Sequence, residues 1–128
     1  MELTQCINYL LTTAQHKVFQ EMSSRLEKFD VTPVQYGVMY CLWIEGKTKP
    51  KEIAAELKLE NSTISGVLER MEKKELIERQ VSKEGKALQN PILATVEEVN
   101  KDVLSEMSQE EQSELKKALR ILGGLEDE

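Results

Sequence analysis

The stretch from Lys49 to Arg79 leaves few folds open to this chain. It holds two apolar stripes at helical spacing, separated by a tight break at Lys58–Asn61. In the first, Ile53, Ala54 and Leu57 fall at i, i+1 and i+4, one face of a helix. Leu59 sits in the break, placed to plug the angle between two helices. In the second, Ile64, Val67, Leu68 and Met71 face one way. Asn61 is placed as its N-cap, with a side-chain oxygen able to accept from an otherwise unpaired backbone N–H. The opposite face opens with Ser62, Thr63, Ser65 and Gly66, followed by Glu69. Entry into a DNA major groove needs such a face: little bulk, hydroxyl tips for hydrogen bonding, and a positive helix end near phosphate. An ordinary packed helix pair would share the caps but not the uncluttered leading face. Turn, stripes and face together predict a helix-turn-helix.

The flanks predict more helix. Leu3 to about Lys28 carries Leu3, Ile7, Leu10, Leu11, Ala14, Val18, Met22 and Leu26 in a 3–4 pattern, unbroken by Pro or Gly. Tyr9 and Phe19 lie off that stripe, so two sides of this helix are expected to be buried, one on its own domain and one on a partner chain. Phe29–Val31 is a loop. Thr32, Pro33 and Gln35 form an N-cap, a first-position proline and a capping-box acceptor for a helix over Pro33–Glu45. That helix is almost wholly apolar and is the candidate central core element, closed by Gly46. Leu76–Gln80 reads as a strand. From Ser82 to about Met107 the pattern is helical again, with Pro91 expected to break it near Lys86–Gln89. Ser108 and Glu111 form a second capping box, opening a last helix with Leu115, Ala118, Leu119 and Leu122. Gly123-Gly124 stops it, and the acidic tail Glu126-Asp127-Glu128 is expected to fray.

The run Thr63–Arg79 resembles the recognition helix and following strand of the MarR family of bacterial transcription regulators. Ile53–Leu57 resembles the preceding helix of that family, and Thr32–Tyr36 the start of its second helix. The resemblance runs in order along nearly the whole chain. It implies a mainly α, winged helix-turn-helix fold in a single domain, residues 1–128, with long N- and C-terminal dimerisation helices and, in this sequence, a short or truncated β-wing. Residues 31–87 would be the DNA-binding core, and residues 1–30 and 88–124 the dimerisation helices. It also implies a homodimer on double-stranded DNA, a repressor of a pseudo-palindromic site, released by a small-molecule effector or an oxidant. The base-facing candidates are then Ser62, Thr63, Ser65 and Gly66. Lys51 and Arg79 are phosphate candidates, and Lys73 and Lys74 are further ones along the helix; Arg70 is left open, between a DNA contact and a pairing with Glu69 or Glu72. One part departs from the family. Its hairpin tip carries an Asp-x-Arg motif, whose Arg reaches the minor groove, and this has no counterpart between Gln80 and Val81. Both flanks match cleanly. A mobile tip missing from the sequence as read is therefore favoured over a clipped wing, and the intact mass separates the two.

Charge bears on this reading. The formal net charge is −6, yet Lys47–Lys86 carries ten Lys/Arg against eight Asp/Glu. The acidity lies outside the reader, so moderate, salt-sensitive DNA affinity is expected. Acidity and a missing wing together leave an alternative: an adaptor or antirepressor that has lost DNA binding. One domain's length, no apolar run long enough for a membrane and no export signal point to the cytoplasm. No catalytic constellation is visible: His16 is isolated and no Gly-rich phosphate loop follows a strand. One His and two distant cysteines make a poor metal set, and no cofactor is called for. Some MarR-type repressors sense peroxides through a lone cysteine near the start of the first long helix. Cys6 is the candidate here, with Tyr9, Tyr36 or Tyr40 as possible neighbours and a small apolar filler as the alternative. Cys41, inside an apolar run, reads as inert core.

Overall fold

In a computed structural model that describes residues 1–78 and 80–125, the chain is a run of helices with one short β contact. A 3-10 turn, Leu3–Gln5, leads into α1, Ile7–Leu26, which ends in a second 3-10 turn, Glu27–Phe29. Then follow α2 (Pro33–Trp43), α3 (Pro50–Leu57), α4 (Asn61–Lys73), α5 (Lys83–Ala87), α6 (Gln89–Val103) and α7 (Gln109–Leu122). The frayed tail expected at 126–128 falls outside the described residues.

Local chemistry sets most boundaries. Thr32 Oγ1 accepts the Gln35 N–H and Gln35 Oε1 accepts the Thr32 N–H, a closed capping box with Pro33 at the first position of α2. Ser108 and Glu111 repeat the device on α7. The helix expected from Ser82 to Met107 is two helices meeting at Leu88, within the stretch where Pro91 was expected to break it. Three other helix ends turn on non-glycine residues in the left-handed region: Asp30, Lys58 and Glu75, at φ 54°, 58° and 62°. At each, the next N–H returns to a carbonyl five residues back, from Val31 to Leu26, Leu59 to Ala54 and Leu76 to Met71.

The core is where α2, α3, α4 and α6 meet. Val38 and Met39 of α2, Ile53 of α3, Ile64 and Met71 of α4, and Ile92 and Val99 of α6 are all but inaccessible to water. Leu26 brings the end of α1 into the same core, and Leu59 plugs the α3–α4 angle as expected. Arg25 ties α1 to α6, its guanidinium 2.6 Å from Asp102 and 2.7 Å from Glu21. The expectation of two buried sides along α1 needs correcting for the single chain. Residues 7–20 are exposed all round, because α1 projects beyond the core and meets α6 only toward its end. α7 likewise buries no residue.

The wing is short, as expected. The backbone closes across it: Ile77 bridges Val81 in antiparallel sense, the Glu78 N–H donates to the Gln80 carbonyl, and the Ser82 N–H donates to the Leu76 carbonyl. Ser82 finishes the closure. Its hydroxyl lies 2.7 Å from the Glu75 carbonyl and 2.8 Å from that of Leu76, and it accepts the Gly85 N–H to cap α5. As the sequence stands, the wing is therefore clipped, closed across Ile77–Val81 without a hairpin tip.

Candidate nucleic-acid interface

α4 presents one face to the core and one to water. Ile64, Val67 and Met71 are buried; Ser62, Thr63 and Ser65 are exposed, and Gly66 is half-buried. The Lys58 turn sets the angle with α3, and Ile53, Ala54 and half-buried Leu57 hold that angle from below. The helix begins one position earlier than expected. Glu60 is the N-cap, extended at ψ 150°, and its carbonyl receives the Ile64 N–H. Asn61 is the first helical residue, so its side chain is no cap. No side chain caps α4, which leaves the first-turn N–H groups facing solvent. Ser65 spends its hydroxyl proton on the Asn61 carbonyl at 3.1 Å and keeps its acceptor lone pairs.

Arg70 is the residue whose role the sequence left open. It is exposed and, among the described residues, has no ion pair, neither with Glu69 nor with Glu72. Its guanidinium lies back over Gly66, with one terminal nitrogen 3.4 Å from where a Cβ would stand on that glycine. The absent side chain leaves the shelf on which the guanidinium rests, along the same face as Ser62. The signal was in the sequence: Gly66 and Arg70 are spaced i, i+4, which stacks them on one helix face.

The other cations divide. Lys51, in the first turn of α3, is exposed and among the described residues forms no ion pair. Lys73 is 76% exposed and only 3.9 Å from Glu69 at its nearest approach, a contact that contributes little. Lys74 is different: its ammonium turns inward, 2.8 Å from the Asp30 carbonyl and 3.1 Å from Gln35 Oε1. Arg79 lies outside the described residues.

Cys6 is half-buried and stands as the N-cap of α1 without a side-chain cap bond. Tyr36 and Tyr40 stack edge-to-face on α2 with ring centroids 6.1 Å apart, and burial pushes the Tyr36 hydroxyl above its ordinary range. Cys41 is 1% exposed, and burial beside Glu45 pushes its thiol up to about 11. Among the described residues no helix is long and apolar enough to cross a membrane, and no His, Cys, Asp and Glu cluster could hold a metal ion.

Known proteins share these features. The MarR family profile matches residues 31–86, the segment from the α2 cap to the clipped wing and α5. The transcriptional regulator MgrA of Staphylococcus aureus is 33% identical over 81 residues, which is 62% of this chain and 55% of that protein. The chain thus spans about half the length of this curated relative. A MarR-family regulator from Rhodococcus sp. RHA1 superposes with a TM-score of 0.81 at 18% identity, covering 95% of each chain. MepR of S. aureus, solved in complex with DNA, superposes at 0.77 and 23% identity, covering 94% of this chain and 97% of that one. Both structures share the fold. Residues 31–86 match the MarR family profile, and the chain has the winged helix-turn-helix fold that these solved regulators share.

Proposed function

We propose that the chain is a DNA-binding transcriptional regulator, a repressor that reads a pseudo-palindromic operator as a homodimer in the cytoplasm. One observation carries the reading. The exposed face of α4 is small and hydroxyl-bearing at its uncapped start, and it carries a guanidinium shelved on a glycine one turn further on. Serine and threonine hydroxyls suit either base edge or phosphate, and an arginine fork suits guanine. In this reading Ser62, Thr63, Ser65 and Gly66 approach the bases, while Lys51, Lys73 and Arg79 meet phosphate.

Homodimerisation is supported by the apolar side chains that α1 and α7 leave exposed. α1 exposes Ile7, Leu10, Leu11 and Phe19, and α7 exposes Leu119 and Leu122. A 14-residue helix with no buried residue is marginal on propensity alone, so residues 1–30 and 88–124 are assigned to the dimer. Two-fold symmetry would then set two α4 helices about 34 Å apart, one turn of duplex. An effector or an oxidant acting on the dimer helices would alter that separation and release the DNA. Cys6, at the start of α1, is the oxidant's candidate target. A cleft of about 320 Å³ under the clipped wing, floored by Leu42, Trp43 and Val81 with Lys86 at its rim, is a place for a small effector.

Selection of bound sequences from a random duplex pool tests the reading. The expected result is a two-fold-symmetric motif whose affinity falls steeply with salt. The second reading, an adaptor without DNA binding, rests on the clipped wing; no enrichment, and no duplex binding even at low salt, would select it. Treatment with an organic hydroperoxide tests the oxidant branch. Equal response of wild type and Cys6→Ser removes Cys6 from it.

A further inference from the structure

We infer that Lys74 is a positioning residue for DNA reading: its ammonium latches the C-terminal end of α4 to the junction of α1 and α2, and so sets the angle at which α4 is presented. The inference rests on the DNA-binding reading above.

Lys74 is the C-cap of α4, with its own N–H on the Arg70 carbonyl. Its Nζ donates to the Asp30 carbonyl at 2.8 Å and to Gln35 Oε1 at 3.1 Å, and stands 3.4 Å from the Asp30 carboxylate. Two of the ammonium's three protons are spent on these hydrogen bonds, and the Asp30 carboxylate adds an ion-pair contact. The side chain is 29% exposed, against 76% for neighbouring Lys73. An ammonium so held is turned away from the position a phosphate contact needs.

The partners sit where two elements change direction. Asp30 is the left-handed residue that ends the turn extending α1, at φ 54°. Gln35 is 3% exposed and is the capping-box residue that starts α2. One charge therefore joins the end of the long helix, the start of the core helix and the end of the reader. From the other side, the Ser82 hydroxyl holds the adjoining Glu75 carbonyl at 2.7 Å. The far end of α4 has no side-chain cap and is joined to α3 through the Lys58 turn. A helix of 13 residues is about 20 Å long, so a tilt of about 10° at its latched end swings the tip by about 3 Å. That is the scale of a hydrogen bond to a base.

The test compares Lys74→Gln with Lys73→Gln in the full chain, by fluorescence anisotropy on the selected duplex. Salt is titrated, and the spacing between half-sites is varied by a base pair either way. Amide hydrogen exchange is followed without DNA. For Lys74→Gln we expect affinity to fall about five- to tenfold, with the salt slope unchanged and the preference for one spacing flattened. Exchange should quicken at 30–35 and at 74–76 together. Lys73→Gln should instead lower the salt slope by about one, as loss of a phosphate contact does. A lowered slope with spacing preference intact in Lys74→Gln would make Lys74 a phosphate contact and overturn the inference. Unchanged affinity and spacing, or affinity lost only in step with thermal stability, would overturn it too. If the wild type binds no duplex, the DNA reading fails separately. Exchange then decides the latch: joint loss of protection supports it, and unchanged protection sinks it.

Discussion

At the scale of single residues, the reading face turns on Arg70 and the glycine beneath it. Arg70 touches no carboxylate among the described residues and is exposed, so its removal should cost the fold little. Arg70→Ala should weaken binding to the selected duplex by about 1–3 kcal/mol and relax discrimination at one base pair. Anisotropy on single-base variants of the site, with a thermal denaturation curve alongside, checks both halves. A drop in thermal midpoint would show that the side chain braces the helix instead. Cys41 makes a different prediction. Its thiol stands at about 11 in the fold against an ordinary 9.0. Between those values the unfolded chain loses its proton first and so binds fewer protons than the folded one. Stability should therefore fall as pH rises from about 9 to 11. Denaturant midpoints in that window, compared with those of Cys41→Ala, should show a shallower fall for the variant.

At the scale of elements, the clipped wing and α5 form one joint, and Gly85 lets it close. A Cβ on Gly85 would overlap the Leu76 carbonyl oxygen and press on Met39 Cε at 2.9 Å and Val81 Cγ1 at 3.0 Å. Met39 is fully buried, so the strain has nowhere cheap to go. Gly85→Ala should destabilise the chain by about 1–3 kcal/mol, read as a lower urea midpoint. It should also disturb Trp43, whose indole N–H donates to the Gly85 carbonyl at 3.2 Å, with a change in tryptophan fluorescence. These elements show which parts of the fold were legible. The Thr32 and Ser108 caps and the break before Pro91 could be read because each rests on residues within a turn of one another. The α4 cap was misread by one position because Glu60-Asn61-Ser62-Thr63 offers several polar starts and only backbone dihedrals choose among them. Lys74 was read as a phosphate contact because its partners lie 44 and 39 positions away, beyond any local pattern. The short wing was legible because no residues stand between Gln80 and Val81 to form a hairpin tip; the bonds that Ser82 supplies across it were not, since a hydroxyl's carbonyl partners cannot be read from spacing.

At the scale of the whole molecule, the two ends of the chain pose the same problem. Residues 7–20 of α1 extend into water, and α7 is tied to the preceding turn by Gln112, which donates to the Leu104 and Met107 carbonyls, yet it buries no residue. Leu119 is 43% exposed and Leu10 46%. A Leu10→Glu, Leu119→Glu double variant should sediment as a monomer where the wild type sediments as a dimer, and should lose helical ellipticity. Burying such side chains is worth about 1.5–3 kcal/mol each, so a pair of charges there should be enough. An unaltered sedimentation coefficient would place the dimer elsewhere.

The clipped wing also bears on how much of a genome the protein can tell apart. Only three residues separate Ile77 from Val81, and a connection of that length reaches no further than about 7 Å from the bridge. A narrow-groove ligand such as netropsin should therefore leave the complex intact, as a competition titration would show. If the chain reads DNA as proposed, its sequence information then comes from two copies of one short helix. Chance matches multiply with each base pair left unread, and a bacterial chromosome offers about a million or more competing sites. A regulator built this way trades vocabulary for grammar: the interval between its two words has to carry what a longer word would have said.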